Sequence, residues 1–174
     1  KKLCCVDKAN VLETSRLWRE TVQSMEKDYP EIKVSYEFVD AVAMRLVQWP
    51  SSYDVLITSN LFGDILTDEA SVISGSMGLM PSASIGSENA LYEPIHGSYP
   101  EATGKKIANP IASILSLSMM LDHSFNLKGE SKIINRAVED SLVNKFTTPD
   151  LNKDNKAYTT DEVGDYIVNF IINN

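Results

Sequence analysis

Asp54-Val55-Leu56-Ile57-Thr58-Ser59-Asn60-Leu61-Phe62-Gly63-Asp64-Ile65-Leu66-Thr67-Asp68 is the stretch that decides how this chain folds. Its first five residues read as a compact apolar strand, Ser59 and Asn60 end it, and a helix follows from about Phe62 to Ile73. A strand that hands directly on to a helix is the repeating unit of α/β proteins. The same alternation precedes it. Leu3 to Val6 reads as a strand, and Leu12, Leu17, Trp18, Val22 and Met25 then recur at roughly helical spacing, ending before Pro30. Val34 to Val39 alternates as a strand should, and a short helix from Ala41 to Gln48 stops at Trp49-Pro50.

Beyond this unit, Gly75 to Gly86 holds three glycines, a proline and several serines, and it reads as a loop with close backbone packing that joins the two halves of the chain. A strand at Ala90 to Glu93 and a loop through Ile107 follow. Helices are expected near Ile111 to Asp122, Ser131 to Lys145 and Thr160 to Ile172. The last has Thr160 as N-cap candidate and two acids, Asp161 and Glu162, in its first turn.

Composition narrows the function. The chain has 174 residues, 43% of them hydrophobic, enough for a real core. With 16 basic against 24 acidic residues its net charge is -8, which repels nucleic acid phosphates and anionic lipid surfaces. Small-molecule or protein partners fit better. Cys4 and Cys5 are adjacent inside a strand-like run, no disulfide framework, and point to a reducing cytoplasm. Pro110 to Leu121 is too short to span a bilayer and contains three serines, so it reads as a buried helix. The chain opens on Lys1-Lys2-Leu3 with no initiating Met, as expected of a piece of something longer.

Two constellations carry chemistry. Asp64 and Asp68 stand at i and i+4 near the start of a helix, which puts both carboxylates on one face. A divalent cation held between them would relieve their repulsion, and hard oxygen ligands suggest Mg²⁺ or Mn²⁺. Spacing alone favours an ordinary solvated acidic face. Lys8, following a strand, and Asp40, ending Phe38-Val39-Asp40, sit where α/β folds commonly hold ligands. Taken singly, such a lysine is more often a surface cation than a catalyst and such an aspartate more often a helix cap.

The second constellation is Glu93-Pro94-Ile95-His96-Gly97-Ser98-Tyr99-Pro100-Glu101, followed by Gly104-Lys105-Lys106-Ile107-Ala108-Asn109-Pro110. Amides around Gly97 could approach phosphate closely, His96 could stack or hydrogen-bond, and Glu101 could accept both hydroxyls of a ribose. On composition alone His96 is equally a structural residue, and Asn109 before Pro110 is an adequate helix N-cap with proline at N1.

Together, Val6-Asp7-Lys8-Ala9-Asn10-Val11, Asn60 to Asp68, Gly75-Ser76-Met77-Gly78-Leu79 and Glu93 to Pro110 resemble the isocitrate and isopropylmalate dehydrogenase family in residues, order and separation. The likeness runs from about Leu3 to the last helix, and its details look like the isopropylmalate branch, with homoisocitrate and tartrate enzymes as close competitors. The resemblance implies an α/β fold of mixed sheets flanked by helices, present here as a C-terminal fragment of a two-domain enzyme. Residues 1–74 would be the second part of a small domain for dimerisation and substrate, and 75–174 the second part of a large cofactor-binding domain.

The implied activity is oxidation of a 2-hydroxy dicarboxylic acid, 3-isopropylmalate, with reduction of NAD and loss of the β-carboxylate. By the same resemblance Asp64 and Asp68 bind Mg²⁺ or Mn²⁺, joined by Asp40 from the second subunit of a homodimer. Lys8 also crosses to the substrate hydroxyl and supports proton transfer with Asp40. His96, Gly97, Ser98, Glu101 and Asn109 would bind NAD without a GxGxxG fingerprint, Glu101 welcoming the ribose diol and repelling the extra phosphate of NADP. The family more often has aspartate at Glu101 and alanine at Tyr99. Family members are about twice this size. The half missing here supplies substrate-binding arginines and a catalytic tyrosine, so this chain alone is expected neither to turn over nor to fold as the intact enzyme does. A non-catalytic binding or oligomerisation subunit is the competing reading.

Overall fold

The structure, a computed structural model, describes residues 2–152 and 156–174; Lys1 lies outside the described residues. The chain divides into two compact units, Lys1–Ile73 and Ser74–Asn174.

In the first unit β1 (Lys2–Asp7), α1 (Glu13–Met25), β2 (Lys33–Phe38), α2 (Val39–Gln48), β3 (Val55–Ile57) and α3 (Asn60–Ser74) alternate. The strands form one parallel sheet in the order β2-β1-β3, with Leu3 paired to both Val34 and Val55. The central strand lacks alternation: Cys4, Cys5, Val6 and Asp7 are all buried, as expected of a parallel strand covered on both faces. Cys4 and Val6 pack with Val42, Leu46 and Leu66 of α2 and α3, each such side chain contributing roughly 1.5–3 kcal/mol by burial. The alternate positions turn the other way, and Asp7 there meets Arg19 of α1. Burial also pushes the Cys5 thiol up to about 11, which leaves it un-ionised and unreactive at neutral pH.

The second unit holds β4 (Pro81–Ile85), β5 (Ala90–Pro94), α4 (Ile111–His123), α5 (Lys128–Val143) and α6 (Thr160–Ile172). Its core is Ile111, Ala137, Val138, Val163 and Ile167, with Phe146 and Tyr158 packed against them. Among the described residues no helix is long and apolar enough to cross a membrane. α4 is only partly buried, since Ile111, Ala112, Ser116 and Ser118 are inside while Leu117 is 45% exposed.

Several expected elements move. Pro81–Ile85, inside the stretch read as loop, is a strand, because β5 pairs with it antiparallel from Pro81 opposite Pro94 to Ile85 opposite Ala90. That ladder satisfies a backbone whose serines and alanine carry little strand propensity. Asp40 does not end a strand; it lies in the first turn of α2, which begins at Val39. α5 begins at Lys128, three residues before the expected Ser131. The N-cap of α6 is Thr159, whose hydroxyl accepts from the Glu162 amide while Glu162 accepts from the Thr159 amide at 2.8 Å, a reciprocal capping box. Thr160 is the first helical residue, and its hydroxyl donates to the Ala108 carbonyl instead.

Candidate functional site

Because β1, β2 and β3 are parallel, their carboxyl ends open on one edge of the sheet. Lys8 follows β1, Asp40 follows β2 by two residues, and α3 leaves β3 through Thr58 and Ser59 carrying Asp64 and Asp68. In parallel α/β sheets that edge is where ligands bind.

At this edge Lys8 and Asp40 form an ion pair, with Lys8 half-buried and Asp40 largely exposed. The ammonium also lies 5.7 Å from the centre of the Phe38 ring. The hydrogen bond from Lys8 holds the Asp40 carboxyl below the ordinary aspartate value. The residue after β1 and one in the first turn of α2 are thus brought together by the β1–β2 pairing.

Asp64 and Asp68 are exposed, one turn apart on α3. The hydrogen bonds recorded at these residues use their backbone carbonyls, which accept from the Thr67 and Ser71 hydroxyls. Their carboxylates enter no salt bridge among the described residues. Two solvated, unpaired carboxylates on one helix face fit Mg²⁺ or Mn²⁺, since such ions keep several waters and take one or two protein carboxylates. Asp40 does not complete a set with them: among the described residues, no group of three or more His, Cys, Asp or Glu is placed to hold a metal ion.

In the second unit His96, Gly97 and Ser98 follow β5, and Glu101 sits exposed in a short 3-10 turn, Pro100–Ala102. The His96 ring nitrogen Nδ1 lies 3.0 Å from the Gly97 carbonyl. A Cβ at Gly97 would meet nothing within 4 Å, so this backbone is open to a ligand. The unencumbered carboxylate and open turn suit a ribose and a phosphate. The loop beyond is held firmly, although Lys106 adopts a positive φ of 54° that lysine rarely tolerates. The Lys106 carbonyl accepts from the Thr160 amide at 2.9 Å, and its ammonium pairs with Asp161 at 2.6 Å. Lys106 is raised by that pairing.

Asn109 ends this loop. Its Oδ1 accepts from the Ile111 amide at 3.0 Å and its Nδ2 donates to Asp150 at 3.0 Å, but the N-cap of α4 is Pro110, which already has helical backbone angles, and not Asn109 as expected. Asp150 also accepts from Ser76 Oγ and, at 2.6 Å, from Thr148 Oγ1. Burial works to raise the Asp150 carboxyl, and these hydrogen bonds outweigh it, holding it below the ordinary value.

Sequence reading missed two supports. Asp7, 1% exposed, accepts from Arg19 Nε at 2.7 Å, from Arg19 Nη2 at 3.0 Å and from the Ala9 amide at 2.8 Å. It clamps the turn that carries Lys8, and Arg19 lies under the Phe38 ring at 5.1 Å. A charged residue closing the apolar run Leu3 to Val6 was the available signal. Asp150 carried none, since Thr148-Pro149-Asp150 reads only as a turn.

Residues 1–167 match the isocitrate/isopropylmalate dehydrogenase family. Among curated proteins, the chain is 51% identical over 172 residues to the 3-isopropylmalate dehydrogenase of Wolinella succinogenes, covering 98% of this chain and 48% of that protein. With the enzyme of the same name from Oceanobacillus iheyensis identity is 57% over 153 residues, 87% of this chain and 42% of that protein. The chain thus spans about half the length of the curated relatives it matches. Among solved structures, an isocitrate dehydrogenase from Methylococcus capsulatus superposes with a TM-score of 0.95 at 41% identity, covering 98% of this chain and 50% of that one.

Proposed function

The chain belongs to the isocitrate/isopropylmalate dehydrogenase family, and we propose that it is the C-terminal half of a metal-requiring, NAD-linked β-decarboxylating dehydrogenase acting on 3-isopropylmalate. The observation that carries this reading is the pair of exposed carboxylates one turn apart on α3, at the carboxyl edge of a parallel sheet that also displays the Lys8–Asp40 pair for a second copy. In this reading residues 1–74 and 75–174 are the second parts of the substrate and cofactor domains.

The chain's own groups divide the work. Asp64 and Asp68 hold Mg²⁺ or Mn²⁺, joined by Asp40 of a second copy in a homodimer. When bound, that ion supplies Lewis-acid stabilisation of negative charge on the substrate's oxygens. Lys8 Nζ, in the neutral amine form that a nearby dication would favour, would take the proton of the substrate hydroxyl, and Asp40 pairs with the ammonium that results. The Asp7–Arg19 clamp keeps Lys8 from wandering out of reach. His96, Gly97, Ser98 and Asn109 orient NAD, the hydride acceptor, and Glu101 favours its free ribose diol over a phosphorylated one.

The test is NADH formation by the intact enzyme that carries this chain, with 3-isopropylmalate, NAD⁺ and Mg²⁺ or Mn²⁺, beside isocitrate, homoisocitrate and tartrate. Turnover of 3-isopropylmalate, lost in Asp64→Asn, supports the reading. Preference for isocitrate, the second reading in view of the Methylococcus capsulatus likeness, replaces the substrate and keeps the reaction class. Metal binding without turnover of any of the four acids refutes the enzymatic reading in favour of a non-catalytic subunit.

A further inference from the structure

The carboxylate of Asp150 is half-buried, and among the described residues no cation pairs with it. Its partners are neutral donors: the Ser76 and Thr148 hydroxyls and the Asn109 amide. The three donors outweigh the cost of burying the acid, so the ionised carboxylate stabilises the fold, and its chemistry does more than that. What a carboxylate adds is that it only accepts. Facing Asp150, Asn109 must present its nitrogen; facing the Ile111 amide, it must present its oxygen. Turning the amide over would set oxygen against carboxylate and nitrogen against N–H. Gly78 grips the same side chain, for a Cβ there would stand 2.6 Å from Asn109 Cβ. Asn109 therefore keeps one N–H and one oxygen lone pair free, in one fixed order.

We infer that Asp150 is a positioning residue for the adenosine end of the NAD site, acting through Asn109 to fix which donor and which acceptor the cofactor meets. This rests on the proposal that Asn109 lines that site. Asp150 itself need not touch the cofactor. Ser76 belongs to the same device, because its hydroxyl both donates to Asp150 and accepts from the Gly78 amide at 3.0 Å.

The experiment is steady-state kinetics on the intact enzyme carrying Asp150→Asn, Asn109→Ala, both, or Ser76→Ala. Asp150→Asn lets the amide turn over, so KM for NAD should rise about tenfold while kcat and KM for the hydroxy acid change less than about twofold. In the double variant Asp150→Asn should add nothing to Asn109→Ala, because its effect passes through that residue. A parallel fall in kcat and rise in both KM values, multiplying in the double variant, marks a merely structural role and overturns the inference. So does an unchanged KM for NAD in Asp150→Asn when the wild type saturates normally. A wild-type enzyme that NAD does not saturate overturns the cofactor reading itself and the inference with it. If Asp150→Asn does not fold, Ser76→Ala decides: about a threefold rise in KM for NAD supports the inference, and no rise overturns it.

Discussion

Replacing Asp7 by Asn in the intact enzyme is the sharpest perturbation the structure offers. The Asp7 side chain is 0% exposed and accepts three hydrogen bonds, two of them from the Arg19 guanidinium, which keeps 26% exposure. Asparagine retains the bond to the Ala9 amide but sets its own N–H groups against a guanidinium that can only donate. Removing one partner of a buried pair costs about 3–5 kcal/mol; partial exposure lets Arg19 rehydrate, placing this loss near 3 kcal/mol. At about 2 kcal/mol per molar of urea, the unfolding midpoint should fall by about 1.5 M. The assay is urea unfolding followed by far-ultraviolet circular dichroism. A second variant, Asp7→Asn with Arg19→Met, should lose less than the sum of the singles by about 1–3 kcal/mol, since the orphaned charge is gone. A midpoint within about 0.25 M of wild type, or strict additivity in the double, would refute the clamp.

Other outcomes follow from the same geometry. Gly78→Ala forces the backbone away from Asn109 and should cost about 1–3 kcal/mol, read as a lowered thermal midpoint, with weaker NAD saturation. Asp150 is held below the ordinary aspartate value, so its stabilisation is complete above its unfolded pKa of about 4 and is lost as pH falls through the lower folded value. Urea midpoints measured from pH 6 to pH 3 should therefore decline less steeply in Asp150→Asn than in wild type; identical slopes would contradict this. Asp64→Asn removes one of two unpaired carboxylates and should weaken Mn²⁺ binding by about tenfold or more in calorimetric titration. Glu101→Gln removes the charge that repels a ribose phosphate and should lower the KM ratio of NADP to NAD by about tenfold.

The alternation of strands and helices in the first unit, the stops at Pro30 and Pro50 and the last helix from Thr160 to Ile172 were all legible in consecutive residues. So were the motifs that tie the chain to its family, and the pairing of Asp64 with Asp68, because i and i+4 share a helix face whatever surrounds them. The sequence could not say that Pro81–Ile85 is a strand, since its evidence is the ladder to β5. Nor could it join Asp7 to Arg19 under α1 or Ser76 to Asp150 across 74 residues, and it paired Lys8 with Asp40 only through the family resemblance, never through the β1–β2 register. Helical periodicity and capping are written in neighbouring residues and cost little chain entropy to form. Contacts between distant residues exist only after the core has closed the loops between them, and only the tertiary structure decides which donors then face which carboxylates.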